Sequence, residues 1–564
     1  MSLVFAAGAG PLAADQRTEL LEMKNTIVNL VDALVEQGVL PAEKAAQIKA
    51  EAAARARVDA ARESVVEAPE AALESADAAA PEAPARVVRV PYVPEFVKEE
   101  IREQVREELR KDVTEDVVAV AKKERWGVKD ALPAWVSAMN WYGDVRFRYT
   151  PDFYSSANVP SSVPNFEAIN DAGGITRAGV DAFLNSTEDR HRLRVRARVG
   201  FDITVADKAS AGVRLITGAL DNPISLNQTL GRAGDPYEFN LDRAWIRWDE
   251  TTRTGVNWLR VEGGRMQNPY FHASDIVFDN DLGFEGVAAT LRGVLPYFES
   301  MAGPASGART AFLTFGAFPL EENELPVPDD SSNDKWLWGA QAGIDFPFTS
   351  TSAATLAFAF YDYINIAGRR NSFNSRLNDW TAPRGIVKGN TVFDIRNDLD
   401  LSTELFALAA DFTLVNLTAQ YRYSGFDPVN VWVTGDIVKN IGYDEQEILR
   451  RTGVRVPERS LGYWVGLLVG TACDSVDHFQ HCIHRPGEWT LFGGYRYLQR
   501  DAVIDAFTDS NFYLGGTNTE GYQVGVDYGL AKNLWMRARY MAGDEIDGPP
   551  LGIDVLQVDV NAQF

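Results

Sequence analysis

The last residues of the chain, Leu556-Gln-Val-Asp-Val-Asn-Ala-Gln-Phe564, constrain its fold more tightly than any other stretch. Val558, Val560, Ala562 and Phe564 fall on one face, and Gln557, Asp559, Asn561 and Gln563 fall on the other. A period of two marks a strand that is apolar on one side and wetted on the other. Such a strand closes either a soluble sandwich or a membrane-spanning barrel, so the remaining sequence has to decide between them.

No run of eighteen apolar residues occurs, which excludes transmembrane helices. A barrel escapes that test, because lipid-facing and lumen-facing residues alternate and average hydropathy stays moderate. From Trp135 onward the alternation recurs. Val145, Phe147 and Tyr149 point one way while Asp144, Arg146 and Arg148 point the other. In His191–Phe201, Arg192, Arg194, Arg196 and Arg198 alternate strictly with Leu193, Val195, Ala197 and Val199. Four like charges on one face require water and counter-ions opposite them. Seventeen segments of this kind can be read, one of them at 403–413. Their connections alternate between tight ones, such as 206–208, and long polar ones, such as 150–189 and 364–400. Short turns on one rim and long loops on the other are the habit of outer-membrane barrels. With both ends on one side the strand number must be even, so sixteen strands are expected, with eighteen as the alternative. Trp245, Trp248, Trp336, Trp338, Tyr361, Tyr363, Tyr495 and Tyr497 are expected to form an interfacial girdle. A barrel of about sixteen strands encloses an aqueous lumen. The fold class is thus an all-β antiparallel transmembrane barrel over 140–564, preceded by an α-helical segment.

The N-terminal quarter reads differently. Residues 1–14 resemble the apolar half of a signal peptide whose basic front is missing. Leu20, Met23, Ile27, Leu30 and Leu34 form a coiled-coil seam within a helical segment at 15–62. An Ala/Pro/Glu-rich linker follows over 63–94, and a second helical segment over 95–126. So narrow a seam buries too little area alone and favours a homotrimer, against a single helix packed on its own chain.

A net charge of −24 argues against a nucleic-acid partner. Cys473 and Cys482 lie among His478, His481 and His484, a spacing open to a local disulfide, a zinc site or two thiols; the disulfide is preferred and no metal is assigned. Asp329, Asp330 and Glu321–Glu324 read as a solvated rim rather than a calcium site. The five histidines stand in no catalytic motif and no Gly-x-Ser-x-Gly is present, so no enzymatic activity and no cofactor are expected.

Gly264-Arg-Met-Gln-Asn-Pro-Tyr270 and Asp279-Asn-Asp-Leu-Gly-Phe-Glu-Gly286 carry a resemblance, joined by Gly143–Tyr149, Val213–Gly218 and Thr517–Gly521. Over about 140–564 the chain resembles the family called putative porins, outer-membrane channels with a periplasmic coiled-coil segment before the barrel. The Cys/His insert departs from that pattern. The resemblance implies passive diffusion of small hydrophilic solutes or ions through the bacterial outer membrane, with the helical segment in the periplasm.

Selectivity in such a channel comes from lumen radius and from fixed charge. The inward arginines Arg146, Arg148, Arg192, Arg194, Arg196, Arg198, Arg247 and Arg260 are expected to line the pore and favour anions; Arg214, Arg496, Arg537 and Arg539 share their inward parity. An inward-folded loop carrying Asp275, Asp279 and Asp281 is expected to face them as a constriction. Phe564 is the expected signal for the barrel-assembly machinery. The competing function is a structural tether whose helical neck contacts peptidoglycan.

Overall fold

The computed structural model describes residues 138–564 apart from 219–222, 254, 296–307, 325–332, 401 and 472–484. The leader, both helical segments, the linker, and Cys473 and Cys482 lie outside the described residues.

Sixteen antiparallel strands form the barrel: β1 Met139–Tyr154, β2 Arg190–Ala206, β3 Ala209–Thr217, β4 Phe239–Thr251, β5 Asn257–Met266, β6 Phe284–Val294, β7 Thr310–Glu321 and β8 Lys335–Thr349. The series continues with β9 Ser352–Ile364, β10 Thr413–Phe426, β11 Val429–Asn440, β12 Leu461–Gly470, β13 Trp489–Leu498, β14 Thr519–Ala531, β15 Leu534–Glu545 and β16 Gly552–Gln563. Each pairs with its neighbours in sequence, and β16 returns to β1, so the sheet has no edge. One further strand of two residues, Gln228–Thr229, pairs with β2 at Arg194 and Val195.

The seventeenth segment read from sequence, 403–413, is not a barrel strand. Phe406–Leu408 pairs with Val392–Asp394 in a separate two-stranded sheet inside the β9–β10 loop. Its apolar residues Ala407, Leu408 and Phe412 are buried against other loops. An apolar run that packs on loops carries the same pattern as one that faces lipid.

Alternation sets the two faces of the wall. Val145, Phe147 and Tyr149 are exposed on the membrane side, whereas Arg146 and Arg148 are buried on the inside. The expected girdle divides by this parity. Trp248, Trp338 and Tyr495 are exposed, but Trp245, Tyr361 and Tyr363 are buried and belong to the interior. They share a face with inward residues: Trp245, for example, lies under the Arg247 guanidinium, 4.3 Å away.

Closure uses the last residue. Gly143 and Phe564 exchange backbone hydrogen bonds of 3.1 and 3.0 Å. The Phe564 ring covers Gly143, where a Cβ would stand 2.4 Å from the ring. Only a residue without a side chain accepts that ring.

Long loops share one rim with one another and fold inward. The β5–β6 loop (267–283), β9–β10 loop (365–412) and β13–β14 loop (499–518) contribute Ile276, Val277, Phe278, Ile395, Phe412, Val503 and Ile504 to one buried cluster. Burial of each large side chain stabilises by about 1.5–3 kcal/mol. A polar clasp joins two of these loops. Asn390 donates to the carbonyls of Arg500 and Val503 and accepts from the Asp505 N–H, while Asp501 accepts from the Thr391 N–H and hydroxyl. The Lys388 ammonium donates to the carbonyls of Tyr513 and Gly515.

Candidate functional site

The β5–β6 loop enters the barrel because its ends are pinned to the wall. The Phe271 N–H donates to Gln341 Oε1 at 2.7 Å, and Gln341 Nε2 donates back to the Phe271 carbonyl at 2.7 Å. Ser274 donates to Asp436 on β11 at 2.8 Å. Tyr270 lies against Gly339, where a Cβ would stand 2.1 Å from its hydroxyl oxygen. The loop tip is bound to the β13–β14 loop: the Asp279 N–H donates to the Phe507 carbonyl at 2.7 Å, and Ser510 N–H donates to Asp279 Oδ2 at 2.8 Å.

Opposite the loop, β1 and β2 pair Arg146 with Arg196 and Arg148 with Arg194. Like charges directly across a strand pair repel. Neighbouring strands and the loop supply the compensation. Asp559 on β16 holds Arg148 through two hydrogen bonds of 2.7 Å. Asp144 holds Arg196 at 2.9 Å and Arg198 at 2.5 Å, and Asp152 holds Arg192 at 2.6 Å. Asp281 reaches Arg196 at 3.7 Å. Further round, Arg537 pairs with Asp527, Arg247 with Glu262 and Arg260 with Asp249.

Arg146, Arg194 and Arg539 differ. Among the described residues, no carboxylate lies within ion-pair distance of them; each donates to a neutral acceptor, Asn227 Oδ1, Ser225 Oγ and Gln557 Oε1 respectively. Ser225 and Asn227 come from the β3–β4 loop, whose return segment lies along β2.

The three loop aspartates are all buried or nearly so, but they do not carry equal charge. Burial, with Asp509 and Asp279 beside it, pushes the Asp275 carboxyl well up; burial, with Asp281 and Asp509 nearby, does the same for Asp279. Burial acts on Asp281 in the same direction, yet Arg196, Arg146, Arg198 and Arg214 outweigh it and hold that carboxylate below its ordinary value.

A cavity of about 50 Å³ lies between the loop and the wall. Five arginines line it (Arg146, Arg148, Arg496, Arg537 and Arg539) with five aspartates (Asp275, Asp279, Asp281, Asp509 and Asp559). Wider spaces adjoin it. One of about 500 Å³, towards the short-turn rim, is lined by Arg247, Arg260, Arg292 and His272. Another of about 690 Å³, towards the long loops, is lined by Asp242, Arg265, Lys335 and Arg384. The structure thus brings Arg146, Arg148, Asp275, Asp279 and Asp281 to one constriction, puts Arg192, Arg194, Arg196 and Arg198 on the adjoining wall, and leaves Arg247 and Arg260 in the wider space. Sequence reading missed Asp509 and Asn511 of the β13–β14 loop and Asn227 of the β3–β4 loop, which carry no periodic signal. Among the described residues, no cluster of metal-ligating side chains is present.

A family model described as putative porin matches residues 24–564. Three solved structures with which the chain aligns are OprB of Pseudomonas putida at high pH (11% identity, 76% of this chain and 94% of that chain, TM-score 0.39), an anion-selective porin from Comamonas acidovorans (10%, 76% and 99%, 0.37), and OmpF of Salmonella typhi in complex with daunomycin (10%, 76% and 97%, 0.36). No curated protein matches.

Proposed function

We propose, from the premise that the chain belongs to the putative porin family, that its channel for small solutes favours anions through an arginine-lined constriction. The family consists of outer-membrane channels, which do no catalysis. The observation that carries the anion preference is the unequal state of the charges around the narrow cavity. Five guanidiniums face five carboxyls, and two of those carboxyls, Asp275 and Asp279, are pushed up by burial and by neighbouring acids. Carboxyls raised in this way hold their protons to higher pH, which tips the balance of the collar towards positive. A field of that sign in a low-dielectric collar lowers the barrier for anions and raises it for cations. Many wall arginines are paired and stiffen the barrel; among the described residues, Arg146, Arg194 and Arg539 have no carboxylate within ion-pair distance and donate to neutral acceptors.

The experiment is reversal potential in a planar bilayer under a salt gradient, for wild type and for Arg194→Ala combined with Arg196→Ala. A chloride preference that falls in the double variant supports the reading. A wild-type channel without preference, or one that prefers potassium, overturns it.

The same proposal covers the residues before the barrel. Segments 15–62 and 95–126 act as a periplasmic helical neck that joins three copies, with 63–94 as the linker and peptidoglycan within reach, and Phe564 is read by the assembly machinery. Deleting 16–125 tests the neck. Single channels that still conduct, but no longer open in groups of three, support it; triplet openings that persist refute it.

A further inference from the structure

The anion preference proposed above leaves open what the constriction would hold longest. Two guanidiniums that open on the narrow cavity, Arg146 and Arg539, lack a carboxylate partner among the described residues, and the Nε of each is buried without an acceptor. Arg146 is only 8% exposed. A guanidinium held away from ion-pair contact with any carboxylate is costly to enclose, and here the buried Arg146 and the half-buried Arg539 lie on either side of the Arg148–Asp559 pair. Across the wall Arg148 stands opposite Asp559, which also stands opposite Arg537, with Gln557 and Arg539 one pleat further along. Asn511 bridges that stretch, accepting from Arg148 at 2.9 Å and from Gln557 at 3.0 Å.

We infer that the cavity between Arg146 and Arg539 is a binding subsite for one compact, doubly charged oxyanion. The inference rests on the anion-favouring reading. Two unpaired cations call for two negative charges, and guanidinium edges match oxyanion geometry. Size narrows the class further. At roughly 10–15 Å³ of such space per water, a cavity of about 50 Å³ holds about three to five water-sized groups, a volume nearer that of a tetrahedral oxyanion than that of a sugar ring. An ion held there occupies the path and slows those behind it, so tight binding is read as block.

The test uses the full-length channel in a planar bilayer carrying chloride, with inorganic sulfate added as the probe. Sulfate is expected to reduce the chloride current at millimolar concentration. Arg146→Gln and Arg539→Gln should each raise the half-blocking concentration about tenfold, the effect of losing one charged hydrogen-bond donor set. Arg450→Gln removes a charge from an exposed helix far in sequence from the constriction and should leave the block unchanged. If either variant fails to give the heat-modifiable folded barrel, Arg539→Lys keeps the charge and should block within a few-fold of wild type. A channel that prefers chloride yet ignores sulfate, or that sulfate blocks as strongly in Arg146→Gln and Arg539→Gln as in wild type, overturns the subsite and spares the anion preference. A channel with no chloride preference removes both.

Discussion

Replacing Asp281 with Asn removes the one carboxylate of the β5–β6 loop that the surrounding arginines keep ionised. Its oxygen lies 3.7 Å from the Arg196 guanidinium, and the loop backbone there is held by Asp279, which accepts from the Asp281 N–H at 2.7 Å. Asn preserves size, so the change is mainly one of charge. For a chloride passing roughly 8 Å away, an effective dielectric of about 20 gives about 2 kcal/mol of repulsion from the carboxylate. Screening over a Debye length of about 10 Å at 0.1 M reduces this to about 1 kcal/mol, or about fivefold in permeability. At 1 M salt the Debye length is about 3 Å and the effect falls below about 0.2 kcal/mol. The assay is the chloride-to-potassium permeability ratio from reversal potentials at both ionic strengths. The same term acts on potassium with the opposite sign, so the ratio should rise up to about 25-fold in the variant at low salt and hardly change at high salt. An unchanged ratio at low salt would refute the reasoning. So would a rise that persists at high salt, because that marks a rearranged loop instead of a removed charge.

Selectivity should also depend on pH, since burial and neighbouring acids push the Asp275 and Asp279 carboxyls well above the ordinary carboxylate range in the folded channel. Raising the pH ionises them, so chloride preference should decline on the alkaline side; an increase there would contradict the assignment, and Asp275→Asn should flatten the decline. The loop clasp titrates as well. Burial raises Asp505 to about 7 and Asp501 to about 6, above their values in an open loop, so the folded clasp binds the extra protons and loses stability as pH climbs from about 5 to 7. Lys388, which burial pulls down to about 7, is charged over most of that window and begins to lose its proton only at its upper end, where it partly offsets the slope. Limited proteolysis of the β9–β10 loop should therefore be faster at pH 7 than at pH 5, and equal rates would contradict this. Asn390→Leu removes four hydrogen bonds and leaves buried groups unpaired, for a loss of about 2–4 kcal/mol in the clasp with the barrel intact; unchanged protease resistance would speak against the clasp. Gly143→Leu places a side chain where the Phe564 ring sits and should delay the appearance of the heat-modifiable barrel, and wild-type folding kinetics would count against the seam geometry.

The wall of this barrel was legible in the sequence because a period of two survives without any knowledge of partners. Each of the sixteen strands overlaps an alternating segment, and the parity of Arg146, Arg148 and Val145 follows directly. What escaped is what depends on register. The Arg192–Arg198 row showed that counter-charges were needed, but only strand pairing reveals that Asp144 and Asp152 supply them to Arg192, Arg196 and Arg198, as Asp559 does to Arg148. Segment 403–413 was misread because burial between loops selects the same residues as burial in lipid. Tyr361 and Tyr363 were placed in a girdle from their position near a strand end, although their parity puts them inside with Ala357 and Ala359. The acidic β5–β6 loop stood out by length and charge. Its binding partners in the β13–β14 loop did not, since loops carry no period to follow.

The seam between the first and last strands gives the order of synthesis a consequence. Arg148 and its carboxylate Asp559 are 411 residues apart in the chain, and Gly143 meets the terminal Phe564. Until the final strand arrives, the guanidiniums of β1 have no acid on that side and are better left in water than enclosed. An incomplete chain thus exposes an open ribbon of unpaired backbone and unmatched cations, both legible to any factor that surveys unfinished barrels. Completion of the ring and the pairing of Arg148 with Asp559 become a single event. A truncated copy should then be recognised as unfinished before it can leak.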